Sequence, residues 1–430
     1  MKRTIGLALV SAAGLALTFM VQWWTVRVIG TGPATDALFA GTLLPSMVLA
    51  IVGQSLSNVL VPTFANLRDD QHMVAVWNYV YLAGAAFSGL GLVLAVTAAL
   101  WVPVIVPGLA PDAAGLAVHL TRIQLVGMVF TAVAGVLSAS LNARNIFIGT
   151  ELAAAASAAI VFAVLVWAVP RFGVWGASVG LSARPLLQTV FMLPKVTPLR
   201  RPAWDRGELR SVWGRLRPLI LGTAYYKTDM LVDRFLASFG GAGGLTNLHL
   251  AIQIHTATIL LIGKAHTVPL LPRLSVLAGQ RNWTKFWQIV GRELLRLLVI
   301  VLIGYAFLLA FGRQCLQVLF GSSRMSPSDV RDLWMILLFC GGIWIVGPVG
   351  RLVTTAFYAR GETSIPTRLG AYSHSAGTVV KVLGFLLFGI KGLAVAISVY
   401  YAIGALLLGN GIYKDWRRSL MIGEVSQTSA

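Results

Sequence analysis

The pentapeptide Phe172-Gly173-Val174-Trp175-Gly176 separates two apolar runs, near 149–169 and 174–194, and 216 positions later Phe388-Gly389-Ile390-Lys391-Gly392 separates two more, near 367–387 and 392–412. Working outward, Leu141-Asn142-Ala143-Arg144-Asn145 closes a run near 119–140. Phe357-Tyr358-Ala359-Arg360-Gly361 closes its counterpart near 332–357 at the same offset. Val61-Pro62 and Leu271-Pro272 end runs near 36–62 and 247–270, offset by 210. Glycine and proline are common at helix ends, so one such match means little, but three at nearly constant spacing argue for a duplication. Further runs near 5–26, 77–102, 218–238 and 291–311 bring the total to twelve. Each has about the 20 residues that a membrane-spanning helix needs. None alternates with the period of two that a barrel strand requires. The expectation is an all-α membrane protein of about twelve transmembrane helices in two six-helix lobes. Because six spans is an even number, the halves share one orientation and are related by a parallel pseudo-two-fold. Repeats of this kind enclose a central cavity and rock against each other in alternating access.

Composition leads to the same class. Of 430 residues, 57% are hydrophobic and only 11% charged, with a mean hydropathy of +0.79. A soluble domain carries about 25% charged residues, and no globular core of this size hides so much apolar surface. A soluble enzyme is therefore excluded. The net charge of +19 from 34 Lys+Arg against 15 Asp+Glu would suggest nucleic acid on a soluble chain. On a membrane protein it reflects basic residues kept in cytoplasmic loops, so no nucleic-acid partner is expected. With the N-terminus inside, 21 of the 34 basic residues fall in cytoplasmic segments and six in outer ones, which predicts both termini in the cytoplasm. Met1-Lys2-Arg3 and the apolar run behind it continue through Trp23-Trp24. That is too long for a secretory signal, so a retained first span is expected. Cys315 and Cys340 have no metal-ligand spacing, and neither a disulfide framework nor a zinc site is expected.

The longest polar stretch, 195–217, holds seven Lys/Arg with Pro198 and Pro202. It predicts an N-terminal lobe at 1–194, a basic cytoplasmic linker at 195–217, a C-terminal lobe at 218–412 and a cytoplasmic tail at 413–430.

Charges within the spans are costly, from about 2.5 kcal/mol each at the bilayer centre, and each needs a reason. The densest group is Tyr225-Tyr226-Lys227-Thr228-Asp229-Met230-Leu231-Val232-Asp233-Arg234. Tyr226, Asp229 and Asp233 share one helix face, and Lys227 and Arg234 share an adjacent one. Two readings stand side by side: a cavity-lining helix with a cationic stripe for an anionic head group, or carboxylates and arginine neutralising one another for packing alone. In the span near 247–270, His249, Gln253, Thr256 and Lys264 form one stripe, and Lys264 is equally well placed to snorkel to the cytoplasmic end. Arg184, Arg351 and Lys381 sit singly in three further spans. Gly347-Pro348-Val349-Gly350 is expected to break or kink the helix ahead of Arg351 and to expose backbone groups that need a cavity or partner. Asp36 opens the second span, where a carboxylate also suits the helix dipole. Six deep basic residues (Arg184, Lys227, Arg234, Lys264, Arg351, Lys381) against two deep acids, Asp229 and Asp233, predict a cationic cavity suited to a diphosphate. No nucleophile triad, HExxH, phosphate-cradling glycine loop or ATPase motif is present in the sequence. No catalysis and no cofactor are expected; an ion gradient, the membrane potential or substrate consumption would drive transport.

With those residues in view, the chain resembles the MurJ/MviN family of lipid II flippases, within the multidrug/oligosaccharidyl-lipid/polysaccharide exporter superfamily. The likeness rests on Gly30-Thr31-Gly32-Pro33-Ala34-Thr35-Asp36-Ala37-Leu38-Phe39-Ala40, similar to the family's Gly-x-Gly-x-Ala-Thr-Asp-Ala-Phe-Phe, and continues through Leu44-Pro45 to Val61-Pro62. Ala356-Phe357-Tyr358-Ala359-Arg360-Gly361-Glu362-Thr363, leading to Pro366, is similar to Phe-Tyr-Ala-Arg-x-Asp-Thr-x-Thr-Pro, and Val268-Pro269-Leu270-Leu271-Pro272 also resembles the family. The resemblance covers most of the chain and implies two six-helix lobes, alternating access and a polyprenyl-diphosphate-linked sugar as cargo. The sequence also departs from the family. It lacks the cavity arginines of the first and second spans and has Gln253 near the one of the eighth. The family's thirteenth and fourteenth helices are not expected after Ser419–Ala430. The seventh span adds Lys227, Asp229, Asp233 and Arg234.

The expected function is a flippase for lipid II or for another lipid-linked saccharide, such as an exopolysaccharide or O-antigen precursor. It is expected to be a monomer among membrane lipids. Lys227, Arg234, Arg351, Lys381, Gln253 and Arg184 are the candidates for phosphate or sugar contacts, with Asp36, Asp229 and Asp233 as partners or coupling sites. Two other functions compete. A cation-coupled multidrug exporter needs a cavity without excess positive charge, and a non-transporting scaffold predicts no two-lobed cavity.

Overall fold

The computed structural model describes residues 2–196, 198–203, 206–263, 268–321, 324–362 and 364–428. They are almost wholly helical, as a chain in hydrocarbon must be if every backbone N–H and C=O is to be satisfied within its own segment. In chain order the helices are α1 (Lys2–Ile29), α2 (Pro33–Gly41), α3 (Leu43–Ala65), α4 (Asp69–Val96), α5 (Ala98–Ile105), α6 (Pro111–Ala143) and α7 (Phe147–Met192). After a short 3-10 turn come α8 (Arg206–Ser238), α9 (Gly244–Ile262), α10 (Val268–Gly279), α11 (Trp283–Phe320), α12 (Pro327–Phe339), α13 (Gly341–Ala359) and α14 (Ser364–Thr428). Among the described residues, eight helical runs are long and apolar enough to cross a membrane. Two of them, α7 and α14, are bent within and carry two expected spans each. Helices α8 and α9, which hold the charged and histidine-bearing stretches, are not among the eight.

The bends fall at Gly173 (φ 56°, ψ −135°) and Gly389 (φ 60°, ψ −146°), 216 residues apart. Only glycine adopts such a conformation without a Cβ clash. Each bend folds the two arms of its helix against each other, and small residues let them touch. A Cβ on Gly176 would lie 2.9 Å from the Ala168 carbonyl oxygen. At the equivalent places in α14, Gly392 packs on the Gly384 backbone. The turn after α6 repeats as well. Arg144 N–H donates to Leu141 O, Asn145 to Asn142 O and Ile146 to Leu141 O; Arg360 donates to Phe357 O, Gly361 to Tyr358 O and Glu362 to Phe357 O. Asn145 and Gly361 both have positive φ. The duplication read from sequence is thus present down to individual hydrogen bonds.

Three expected spans are interrupted: 36–62 at Thr42, 77–102 at Thr97 and 332–357 at Cys340. Gly347-Pro348-Val349-Gly350 does not break its helix; α13 runs through Pro348 and the interruption lies at Cys340 instead. Ser398 of α14 makes that site tolerable. Its hydroxyl accepts from Gly342 N–H at 2.8 Å and donates to the Phe339 carbonyl, re-satisfying backbone groups freed by the interruption. The stretch expected as a tail, 413–430, continues α14 as helix to Thr428.

Packing groups the chain into two compact units. The first runs to Thr246, with Arg324 and Met325 joined to it; the second comprises Asn247–Gly321 and the chain from Ser326 onward. In the first unit α8 packs against α3, and Val212 and Leu216 enter a core with Leu60, Phe64, Trp77 and Leu137. The basic stretch ahead of α8 is tied to α4. Asn78 exchanges two hydrogen bonds with the Ala203 backbone (2.7 and 2.9 Å), and Trp77 Nε1 donates to Val196 O at 3.2 Å. The second unit has its own core of Leu274, Phe286, Leu297, Val301, Leu352 and Ala356. At one end of it, Arg360 pairs with Asp415 at 2.9 Å and stacks on Trp287 and Phe357, fixing α14 to α13.

Candidate functional site

In the first unit, three of the nine candidate residues meet in one buried cluster. Gly30 (φ 91°) turns the chain out of α1. Thr35 then bridges the start of α2, accepting from Gly32 N–H at 3.0 Å and donating back to Gly30 O. This presents Asp36 to the turn that opens α9. One carboxylate oxygen accepts from Gly243 N–H at 2.6 Å. The other accepts from the backbone N–H and the hydroxyl of Thr246, at 2.8 and 2.5 Å. The dipole that Asp36 serves is therefore that of α9 as well as its own helix. Arg234, at the far end of α8, donates to Leu245 O at 3.3 Å and interacts by charge with Asp233 and Asp36. All three side chains are under a tenth exposed. Arg234 is thus a buried cation with partners of its own rather than part of an open cationic stripe. Lys227 and Asp229, about two turns back along α8, are half-buried.

Arg184 has different surroundings. It lies on the second arm of α7 and lines a cavity of about 360 Å3 within the first unit, together with Ser46, Gln124, Ser182 and Gln188. Arg184 Nε and Gln124 Oε1 are buried and have no hydrogen-bond partner among the described residues. A buried donor and a buried acceptor left unmade are each costly, and both belong to side chains that line the cavity. Ser182 is already engaged, donating to Ile123 O at 3.0 Å. Its counterpart 216 residues on is Ser398, which donates to Phe339 O, the counterpart of Ile123.

In the second unit the residue equivalent to Arg184 is Tyr400, and its ring carries the Lys381 ammonium at 4.8 Å. Lys381 is fully buried, so it too is enclosed rather than cavity-facing. Arg351 is exposed on α13, and a Cβ on Gly263 would lie 3.6 Å from its Nη1. Gln253 is half-buried on α9. On the opposite face of α9 from Gln253, His255 is fully buried, with Nε2 2.8 Å from Leu337 O and its ring edge-on to Trp344. Lys264 lies outside the described residues.

Sequence reasoning missed Gln124, Ser46 and Gln188 beside Arg184, and Gly243 and Thr246 beside Asp36. A polar amide inside an apolar run was signal enough for Gln124 and Gln188. Nothing in the sequence pointed from Asp36 to a turn some 210 positions away.

Comparison with known proteins bears on the family and the fold. The family model for lipid II flippase MurJ matches residues 25–428. A probable lipid II flippase MurJ of Vibrio cholerae is 24% identical over 245 residues, 55% of this chain and 46% of that protein, so the match spans less than half of that relative. The Buchnera aphidicola counterpart is 20% identical over 437 residues, covering 96% of this chain and 84% of the other. Among solved structures, lipid II flippase MurJ in an inward closed conformation superposes with a TM-score of 0.83 at 15% identity, covering 99% of this chain and 93% of that one. An inward-facing multidrug transporter of the MATE family, MOP superfamily, gives 0.79 at 18% identity, with 98% and 100% covered. At such identities the superpositions show the fold alone, an all-helical one.

Proposed function

The chain belongs to the lipid II flippase MurJ family, a multi-pass protein of the bacterial inner membrane, and on that premise we propose that it carries a polyprenyl-diphosphate-linked saccharide across that membrane by alternating access. The observation that carries the reading to this chain's own residues is the Arg184 cavity. A planar guanidinium lining the cavity matches phosphate oxygens in shape and charge. Gln188, one turn along the same arm, and Ser46 on α3 supply neutral donors and acceptors of the kind a sugar hydroxyl needs. Arg184 binds the diphosphate and the amides orient the first sugar.

Lys227 in the first unit and Arg351 in the second, half-exposed and exposed within their own units, are further candidates for head-group contacts, each by itself. Asp229 is a charge partner on α8. The distribution of basic residues supports both termini in the cytoplasm. A monomer suffices for this cycle, and because the cargo is anionic, the membrane potential contributes about 2.3 kcal/mol per charge per 100 mV. The test is flipping of a fluorescent lipid-linked disaccharide in reconstituted vesicles. Arg184→Gln should slow it at least tenfold and Arg184→Lys should restore part of the rate. Unchanged rates in both, with the protein folded, remove Arg184 from the site.

A further inference from the structure

The first arm of α7, the Gly173 bend and the second arm enclose a second concavity, of about 420 Å3, on the face opposite in character to the Arg184 cavity: its lining is apolar throughout. Ala168, Gly176, Gly180 and Ala183 form the floor. The floor is deep because nothing larger fits. A Cβ on Gly180 would lie 2.6 Å from Leu165 Cδ2, and one on Gly176 2.9 Å from the Ala168 oxygen. Val164, Trp167 and Val179 form the walls, all about half exposed. Phe172 and Trp175 stand at the bend. Arg171 is exposed there, with its guanidinium 4.4 Å from the centre of the Trp167 ring.

Three features of this groove converge on one occupant. Aromatic side chains with an arginine among them mark the level of the lipid head groups, so the bend lies at a membrane surface. From Phe172 back to Val161, the groove follows eleven residues of helix, about 16 Å. That matches the hydrocarbon depth of a single leaflet, half of about 30 Å. Arg171 puts a positive charge at the mouth, and His119, exposed on α6, has its ring 6.1 Å from that of Trp175. We propose that the α7 groove is a binding site for an anionic phospholipid, one acyl chain lying along Ala168, Gly176, Gly180 and Ala183 and the phosphate head group meeting Arg171. This site is separate from the proposed cargo cavity and does not depend on it. Only the second arm of α7 stands between the two, with Ala183 facing the groove and Arg184 the cavity. A lipid seated there would brace the arm that carries the guanidinium.

The test uses the full chain in nanodiscs, reading quenching of tryptophan fluorescence by phospholipids with brominated acyl chains. The groove's share is isolated as the difference between the unmodified chain and the Trp167→Phe, Trp175→Phe double variant. Brominated phosphatidylglycerol should bind the groove about fivefold more tightly than brominated phosphatidylethanolamine, the factor expected for one added arginine at the surface. Arg171→Gln should remove the preference without changing the melting temperature, and Val179→Phe, which fills the groove, should reduce quenching by both lipids. Equal quenching by both lipids that neither substitution alters would overturn the site, leaving ordinary contact with bulk lipid. Displacement of brominated phosphatidylglycerol by an equimolar polyprenyl phosphate would overturn the phospholipid as occupant.

Discussion

Thr246 gives both its backbone N–H and its hydroxyl to the same oxygen of Asp36, at 2.8 and 2.5 Å, across 210 residues of sequence. With Gly243 on the other oxygen, this joins the start of α2 to the start of α9. Asp36→Ala should therefore act first on stability. It strands three buried donors, and charge-assisted hydrogen bonds contribute about 1.5–3 kcal/mol each. Thermal unfolding in detergent should show a loss of at least that size. Thr246→Val alone should cost less, and the double variant no more than Asp36→Ala, because the two share one interaction. Additive losses would refute the linkage.

Arg184 predicts the opposite sign. A half-buried cation with a buried donor left unmade costs the fold stability, so Arg184→Met should leave the melting temperature unchanged or raise it by the equivalent of about 1 kcal/mol while transport falls. A large loss of stability would mean that Arg184 is held by structural partners and is not kept for a ligand.

Gly173 and Gly389 have nothing within 4 Å of an added Cβ, so a substitution there tests the backbone alone. Alanine in this near-glycine-only region should cost about 1–3 kcal/mol, at both positions alike. Comparable losses of folded yield for Gly173→Ala and Gly389→Ala are expected. Tolerance at either would show that its bend is not fixed by glycine.

Ser182 and Ser398 occupy equivalent places but differ in what they hold. Ser182 donates to one carbonyl, whereas Ser398 both accepts and donates across the α12–α13 interruption. Ser398→Ala should cost about 1–2 kcal/mol, more than Ser182→Ala, since two backbone groups lose their partner instead of one. Hydrogen exchange at Gly342 should rise in the first variant only.

The two bends were legible because a glycine between apolar runs has one physical meaning, and its repetition at a fixed offset leaves little else to explain it. The interruption at Cys340 was not legible. Gly347-Pro348 is the stronger breaker in sequence, but a spanning helix tolerates proline when neighbours satisfy the freed groups, and Ser398 makes the other position the cheaper one. Among the charges, sequence singled out Arg184, Arg234 and Lys381 but passed over Arg122 and the half-buried Glu151. It did not separate Arg234 and Lys381, enclosed by their own partners, from Arg184, which opens on a cavity.

The order of apolar runs, the duplication and the excess of basic residues on one side are properties of the chain itself, because hydrocarbon imposes length and helicity on each segment independently. Which charges pair and which stay open was decided by the tertiary structure alone. A carboxylate's partners are set by distances of under 3 Å between elements remote in sequence, such as Asp36 and the turn before α9, and no local pattern encodes a distance of that kind.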